Sequence, residues 1–491
     1  MTLSPELIEA AMSAFRARLL SAAESMGASQ SPADFCDAER VVQGLAQELA
    51  ADITQRLLQE MSDDADRRKE ALARVRRRCA PRGIKLRIER RRRTQIRTLS
   101  GRVIEVVTPY ATARPISKGR PLATRGSQGT GVYPVLDQLG IEGRSTPALR
   151  FRVARSVCEA NSVSSARDLL ESNGVEIDHK AALRLTYMVT DVALRARKDA
   201  VATTAAGDDG GEFVERRVVA TVDGGRTMIR RRVAGRPKAG GRKRFVTEWR
   251  EPKVLTIYVL GPDGRRDRSI PSVIDGTFGD ADAVFALLRH HLLRLGAHRA
   301  VELCFVGDAA PWIWKRTDAL REDLGLPREQ FHEVVDYFHV VERLGKYADA
   351  RPGWTDERRG QWVAAQKKKL KAGEIESIEA SIRVIADHER ARDSDAYKTE
   401  SAYWARHRDR MRYSALRAAG LPNGSGAVES SVRRVINLRL KGASIAWIEE
   451  HAEGVLHLRA HAKSGRWTEL EKTVLAWTGW RPTARRPKSV A

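Results

Sequence analysis

Two aspartates in this sequence each close an apolar run and open onto small residues. Asp223 follows the run 217–222 and precedes Gly224-Gly225, and Asp308 follows 301–306 with Gly307 before it and Ala309-Ala310 after it. Such runs read as strands. In an α/β sheet the strand ends line the crevice where ligands bind, and small neighbours leave room for metal, water and a phosphodiester. Glu429, on a helical stretch entered through Asn423-Gly424-Ser425-Gly426, supplies a third carboxylate. Two divalent cations about 4 Å apart, held by Asp223, Asp308 and Glu429, would activate an attacking water and stabilise the leaving oxygen of an in-line displacement at phosphorus. Oxygen ligands select Mg2+ or Mn2+, whereas thiolates would select softer metals. A lone Asp-Gly pair is commonly a turn, so the weight rests on the three acids together.

A further pair, Asp336 and His339, stands three residues apart in Asp336-Tyr337-Phe338-His339 and therefore shares one helical face. Two roles fit: flanking the carboxylates to orient phosphate, or a capping Asp beside a half-buried His. In the first role the pair would support catalysis rather than perform it; in the second it is structural.

The elements that must position these groups follow from periodicity. Residues 1–78 are helical, with Pro5 at a helix start, and 79–145 hold a basic segment, a β-hairpin around Gly101 and a Gly-rich linker from 112 to 131. Residues 146–206 carry three helices (147–159, 164–172 and 178–197, with Ser164 and Asp178 as N-caps) that fit a helix-turn-helix DNA-binding domain. Strands at 217–222, 253–260 and 268–274, a helix at 281–295, a strand at 301–306, a helix at 312–323 and a strand at 331–335 give an RNase H-like catalytic core over 212–339. An α-helical insertion (340–419) interrupts it, 420–478 complete it with the Glu helix, and 479–491 form a basic tail. The expected fold class is therefore α/β, preceded by a helical N-terminal region.

Together, Asp223-Gly224, Gly307-Asp308-Ala309 with Trp312-Ile313-Trp314, Asp336-Tyr337-Phe338-His339 with Glu342-Arg343-Leu344, and Gly424-Ser425-Gly426-Ala427-Val428-Glu429-Ser430 resemble the ISKra group of bacterial insertion-sequence transposases. More distantly the set is similar to the Mutator and hAT transposases. The resemblance spans roughly residues 101–477. It implies a catalytic triad at Asp223, Asp308 and Glu429, an all-α insertion before the Glu, and cut-and-transfer chemistry at terminal inverted repeats. Relatives often carry cysteine pairs upstream, and none is present here, so no structural zinc is expected. The four cysteines, Cys36, Cys79, Cys158 and Cys304, are widely spaced, and Cys158 and Cys304 read as buried small hydrophobes.

The formal charge of +24, in a chain that also holds 63 acidic residues, points to a polyanionic partner, nucleic acid first and a membrane surface second; the transposase resemblance implies double-stranded DNA. Arg76, Arg77, Arg78 and the run Arg90, Arg91, Arg92 and Arg93 have only Glu89 nearby in sequence, so they should touch phosphate or be disordered. Lys180 and Arg184 open the third helix, where they would reach a major groove. Arg230, Arg231, Arg232, Arg242, Lys243 and Arg244 belong to a glycine-bearing basic loop beside the first aspartate, expected to neutralise the strand being cut. Trp404, set among arginines, is a candidate for stacking on an unpaired base, with a core position as the plainer alternative. Arg433 and Arg434, followed by Arg439 and Lys441, would extend the DNA track beyond Glu429.

These features lead to an expected metal-dependent transposase. It would bind inverted repeats, hydrolyse DNA to expose a 3′-hydroxyl and join that end to target DNA by transesterification. The alternatives are an RNase H-like DNA-binding or architectural protein that has lost its chemistry, or a host nuclease. Joining two ends implies a homodimer or higher assembly on DNA. No apolar run reaches spanning length and no leader pattern is evident, so a cytoplasmic, nucleoid-associated protein is expected.

Overall fold

Helical periodicity at the N-terminus becomes three helices in the computed structural model of the chain: α1 (Pro5–Gly27), α2 (Pro32–Asp63) and α3 (Ala65–Cys79). Ser31 starts α2 by accepting from the Asp34 amide, with Pro32 at the first helical position. The structure describes residues 5–82, 84–115, 131–205, 211–235, 244–442 and 445–478. The chain is a mixed α/β protein of two compact units, Met1–Val192 with Glu471–Ala491, and Ala193–Leu470.

In the first unit a long hairpin follows, β1 (Ile84–Arg97) and β2 (Val103–Pro115), with the short β3 (Gly131–Val132) alongside β2 and then α4 (Pro134–Gln138). Ile96 faces Ile104 and Thr94 faces Val106 across the pair, and these side chains pack with Ala51 and Leu58 of α2 and with Leu136. The arginine run is thus ordered as strand rather than disordered. It is also partly neutralised by acids remote in sequence: Arg91 pairs with Asp63, Arg93 with Glu105 at 3.3 Å, and Arg78 with Asp137 at 2.7 Å. Arg92 lies over the Tyr110 ring at 4.1 Å. Most of the 112–131 linker lies outside the described residues.

Three helices complete this unit, α5 (Pro147–Glu159), α6 (Val163–Glu171) and α7 (His179–Ala202), with the division between the units falling inside α7. They share a core of Leu149, Val153, Val157, Leu170 and Leu185. Asp178 accepts from the Ala181 amide at 2.9 Å, as its cap role requires. The cap of α6 is Ser162, not Ser164, because the helix begins one residue earlier than its periodicity suggests. Gly101 turns the hairpin with φ of 81°, against the turn at Gly174. A Cβ on Gly101 would meet the Gly174 oxygen at 1.9 Å, so only glycine fits.

The second unit is built on a five-stranded sheet. In sequence its β elements are β4 (Arg217–Gly224), the ribbon strands β5 (Thr227–Arg232) and β6 (Phe245–Arg250), β7 (Lys253–Leu260) and β8 (Val273–Thr277); then come α8 (Ala281–Arg294), β9 (Glu302–Gly307), α9 (Pro311–Trp314), α10 (Thr317–Asp323) and β10 (Phe331–Val335). The sheet order is β10-β9-β4-β7-β8. β4 is parallel to β9, and β9 to β10, while β4-β7 and β7-β8 are antiparallel. Every residue of β7 from Val254 to Leu260 is buried, as expected of a strand with both faces covered. The 268–274 strand is realised later, as β8, and the single helix expected at 312–323 is broken at Lys315-Arg316 into α9 and α10.

The region expected as an all-α insertion is helical throughout: α11 (Tyr337–Asp349), α12 (Asp356–Ala372), α13 (Ile375–Ala386), α14 (Glu389–Arg392), α15 (Asp395–His407) and α16 (Tyr413–Ala418). It packs into the same core as the sheet through residues such as Leu344, Ile378, Tyr403 and Tyr413. The chain then forms α17 (Gly426–Val432), a π turn at Arg433–Asn437, α18 (Glu449–Ser464) and α19 (Trp467–Ala476). α18 is tied to β8 through the fully buried Asp275, which lies 3.0 Å from both Arg197 and His457 and 3.1 Å from His291. Burial alone would raise this carboxyl, but Arg197 and His457 outweigh it and hold it well below the usual range. Cys79, Cys158 and Cys304 are buried. No helix among the described residues is long and apolar enough to cross a membrane.

Candidate functional site

The sheet brings the sequence-selected acids together by register. Val222 of β4 pairs with Gly307 of β9, and Gly307 with Val335 of β10, so Asp223, Asp308 and Asp336 occupy the same end of three adjacent parallel strands. The Asp336 amide continues the ladder by donating to the Gly307 carbonyl at 2.8 Å. Asp223 shares its sheet face with Thr221, two residues back, and Thr221 pairs with Thr256 of β7. Thr256 Oγ1 lies 2.9 Å from Ser431 Oγ on α17, the helix that carries Glu429. That helix therefore covers the face to which Asp223 points.

The electrostatics agree with this geometry. Burial is the main cause that lifts Asp223 to about 6; the Gly224 amide, 2.7 Å from Oδ1, opposes the rise, and the negative charges of Asp308 and Glu429 add to it. Asp223 and Asp308 are partly buried and Glu429 is exposed. Asp308 is fixed by the Ala310 amide, 3.0 Å from Oδ1, and by Trp314, whose Nε1 donates to the Asp308 carbonyl at 2.8 Å. Among the described residues, no group of three or more His, Cys, Asp or Glu side chains converges closely enough to hold a metal as it stands. In donor chemistry and charge the cluster nevertheless fits divalent cations, because its carboxylates repel one another and offer only oxygen.

Asp336 and His339 are brought to this site. Asp336 caps α11 by accepting from the His339 amide at 2.9 Å, and His339 Nδ1 lies 3.2 Å from Asp336 Oδ1. Its other oxygen accepts from the amide and hydroxyl of Ser425. Burial would raise Asp336, but the hydrogen bonds from His339 and Ser425 outweigh it and bring the carboxyl to about 2. The bond to Asp336 raises His339 to about 9 against its own burial, with Asp336 and Asp308 charges adding to the rise. The stabilisation from Asp336 is present above the ordinary carboxyl range and lost as pH falls toward 2, while that from His339 is present below its ordinary value and lost as pH climbs through 9. At neutral pH an imidazolium therefore borders the carboxylates.

Ser425 was not singled out from the sequence. It stands at the N-cap position of α17, yet its hydroxyl does not cap the helix. Instead Oγ donates its one proton to Asp336 Oδ2 at 2.8 Å and also lies 3.1 Å from Glu429 Oε1, between the two acids. A serine four residues before a glutamate at a helix start was the available signal, but capping explains that pattern equally well. Ser425→Ala would leave the buried Asp336 short of a donor, at a cost of about 1–3 kcal/mol. Urea unfolding at pH 7 is expected to show that loss, with Ser425→Thr recovering most of it.

Asp223 carries a pH-dependent cost of its own. The folded chain holds this proton up to about 6, whereas an ordinary aspartate releases it near 3.8. The native state thus binds more protons, and stability falls as pH rises from 3.8 toward 6, then stays lower. In metal-free buffer at pH 7.5, Asp223→Asn is expected to stabilise the protein by about 1–3 kcal/mol, or roughly 2–4 °C in Tm per kcal/mol. The gain should vanish below about pH 4. Magnesium or manganese should raise the Tm of the wild type but not of the variant. Equal or lower stability of the Asn variant at pH 7.5 contradicts the assignment.

The basic residues divide sharply. Arg76, Arg77, Arg90, Lys180 and Arg184 are exposed in the first unit. Arg184 also lines a cavity of about 520 Å3 together with Arg97, Arg144 and Arg167. In the second unit the described part of the expected basic loop forms ribbon strands, with Arg230, Arg231 and Arg232 exposed on β5 and Arg244 preceding β6; residues 236–243, with Arg242 and Lys243, lie outside the described residues.

Arg433 is exposed, Arg434 is half-buried and donates to the Ser430 and Lys463 carbonyls at 3.3 and 3.2 Å, and Arg439 is buried over Trp447, away from any DNA track. Trp404 is 5% exposed, and its Nε1 donates to Glu379 at 3.2 Å. Its ring belongs to the core and is not available to a base, because α15 turns it inward against the insertion's apolar side chains. Comparison with known proteins returns no matching family model and no matching curated protein.

Proposed function

We propose that the chain is a DNA transposase with an RNase H-like catalytic core, as its resemblance to the ISKra group implies. The observation that carries this reading is the alignment of Asp223 and Asp308 at the ends of adjacent parallel strands, with Glu429 on the helix covering the same face. The strand order, three antiparallel strands continued by two parallel ones, supports the RNase H-like assignment. Helices α5, α6 and α7, with Lys180 and Arg184 exposed on the last, support a helix-turn-helix role in binding element ends.

The residues divide the work. Asp223, Asp308 and Glu429 would hold two Mg2+ or Mn2+ ions, which when bound supply charge neutralisation at phosphorus and activation of the attacking oxygen. His339, cationic at neutral pH, offsets the negative charge of an incoming phosphodiester and can donate to a phosphate oxygen. Ser425 keeps Glu429 in register with Asp336. Trp314 fixes the backbone at Asp308. The phosphodiester is cut to leave a 3′-hydroxyl, which then attacks target DNA at the same site.

Among the described residues the three acids are not gathered at ligand spacing, and the second reading is an architectural DNA-binding protein. The two readings separate in one assay. The purified chain is incubated with labelled duplex taken from the DNA flanking its own gene, in magnesium or manganese. Release of a 3′-hydroxyl end and its joining to a second duplex is the expected result; tight binding without cleavage in either metal rejects the enzymatic reading.

A further inference from the structure

The ribbon that leaves β4 directly after Asp223 carries two exposed aromatic residues on one face. Its register pairs Met228 with Trp249, Arg230 with Thr247 and Arg232 with Phe245. Residues paired across an antiparallel ladder share a face, so these six side chains form one surface. Trp249 is 49% exposed and Phe245 54%. Large aromatic rings left this open are uncommon, and two on one face call for an occupant. The Arg226 guanidinium lies 5.4 Å from the Trp249 ring centre and that of Arg230 6.0 Å from Phe245. Among the described residues no carboxylate pairs with Arg226, Arg230 or Arg232, whereas Arg231 and Arg250 on the opposite face approach Glu248 at 3.8 and 4.0 Å. The surface thus alternates rings with uncompensated positive charge.

The ribbon is also anchored at its base. Ile229 is buried, and Thr227 Oγ1 donates to the Leu440 carbonyl at 2.8 Å. The edge of β5 away from β6 pairs with the Trp447 backbone, the Arg230 amide donating at 2.7 Å and the Trp447 amide returning to Met228 at 3.0 Å. Met228 is five residues beyond Asp223, at most about 18 Å of chain. The surface is therefore presented at a fixed place near the carboxylates.

We propose that this face is a stacking platform for the unpaired bases of a DNA strand opened beside the carboxylate site. The proposal rests on the DNA reading above and adds a state of the DNA to it. Charge complementarity selects a polyanion. The rings then decide which part of it is bound: phosphate alone needs no aromatic surface, while an unpaired base offers a π-face that stacks on aromatic side chains whatever its sequence. Trp249 and Phe245 are four residues apart on one strand. At about 3.3 Å per residue the rings are roughly 13 Å apart, the length of about four stacked nucleotides. In paired duplex the base faces are covered, so a duplex would use the arginines but not the rings.

The test uses the whole chain in calcium, where no cleavage is needed. Binding of a labelled oligothymidylate and of a duplex of equal length is followed by fluorescence anisotropy. Trp249→Ala and Phe245→Ala are each expected to weaken single-strand binding by about tenfold or more, with duplex affinity changing less than about twofold and Trp249→Phe restoring most of the loss. Photocrosslinking of the wild type to an iodouracil-bearing strand should place the adduct within residues 245–249, a readout that does not depend on how the variants fold. Equal losses on single strand and duplex, or crosslinks confined to other segments, overturn the platform and leave a duplex-docking surface. A wild-type chain that binds neither DNA overturns the DNA reading itself.

Discussion

Asp223→Asn, Asp308→Asn and Glu429→Gln should each eliminate both end cleavage and strand joining while leaving specific DNA binding nearly unchanged. Each swap preserves shape and removes the negative charge of one of three acids, Asp223 and Asp308 at the ends of β4 and β9 and Glu429 on α17, whose charges are felt at Asp223. In the proposed transposase that charge would compensate divalent cations, and losing it should forfeit several kcal/mol of transition-state stabilisation, at least about a thousandfold in rate. Substrates already cut to expose a 3′-hydroxyl should not rescue joining, because the same carboxylates serve both displacements. Double substitutions should add little, since a site lacking one ligand has little left to lose. The measurement is a magnesium-dependent cleavage and joining assay beside a binding assay in calcium. Near-normal joining by any one variant would falsify the role of that residue, and normal activity in all three would remove the transposase mechanism.

Much of this site was legible because its signals are local. An apolar run ending in Asp beside Gly or Ala reports a strand end, and that inference needs no knowledge of which strands become neighbours. Asp223 and Asp308 were found this way, and Glu429 through the glycine-flanked helix start. The roles of Ser425 and Trp314 were not: Ser425 acts through a partner distant in sequence, binding Asp336 across 89 positions, and Trp314, though only six residues from Asp308, uses its indole nitrogen on a backbone carbonyl, which no residue pattern reports.

The same distinction explains the errors. Whether a basic run is free depends on acids brought from elsewhere, and Arg91 is met by Asp63 from α2, 28 residues away. Arg434 and Arg439 look like a continuation of a DNA track in sequence, but the π turn after α17 directs the first onto carbonyls, and the second is buried over Trp447. Tryptophan exposure is likewise a tertiary property. Trp404, among arginines, proves to be core, while Trp249, given no role from the sequence, is an exposed ring.

The surviving basic residues set the second large effect. Of the first-unit candidates, Arg78, Arg91 and Arg93 have carboxylate partners and Arg92 covers a tyrosine, whereas Arg76, Arg77, Arg90, Lys180 and Arg184 are exposed with no carboxylate partner among the described residues. If these five each neutralise one phosphate of an element end, they contribute about −4.5 to the slope of log affinity against log salt, at roughly −0.9 per contact on duplex. Over a fourfold rise from 50 to 200 mM that is a loss of about 500-fold in affinity. Replacing all five with alanine in the full chain should flatten the slope by about that amount, while the wild-type protein remains steep. Replacing Arg78, Arg91 and Arg93 instead should change the slope little, because their charges are already engaged within the protein. Filter binding of a labelled element end across a salt series, in calcium, distinguishes the two sets. Equal flattening by both sets would mean that the internal ion pairs open on DNA, and an unchanged slope in the five-fold variant would move the phosphate contacts to the second unit, where Arg230, Arg232 and Arg433 remain exposed.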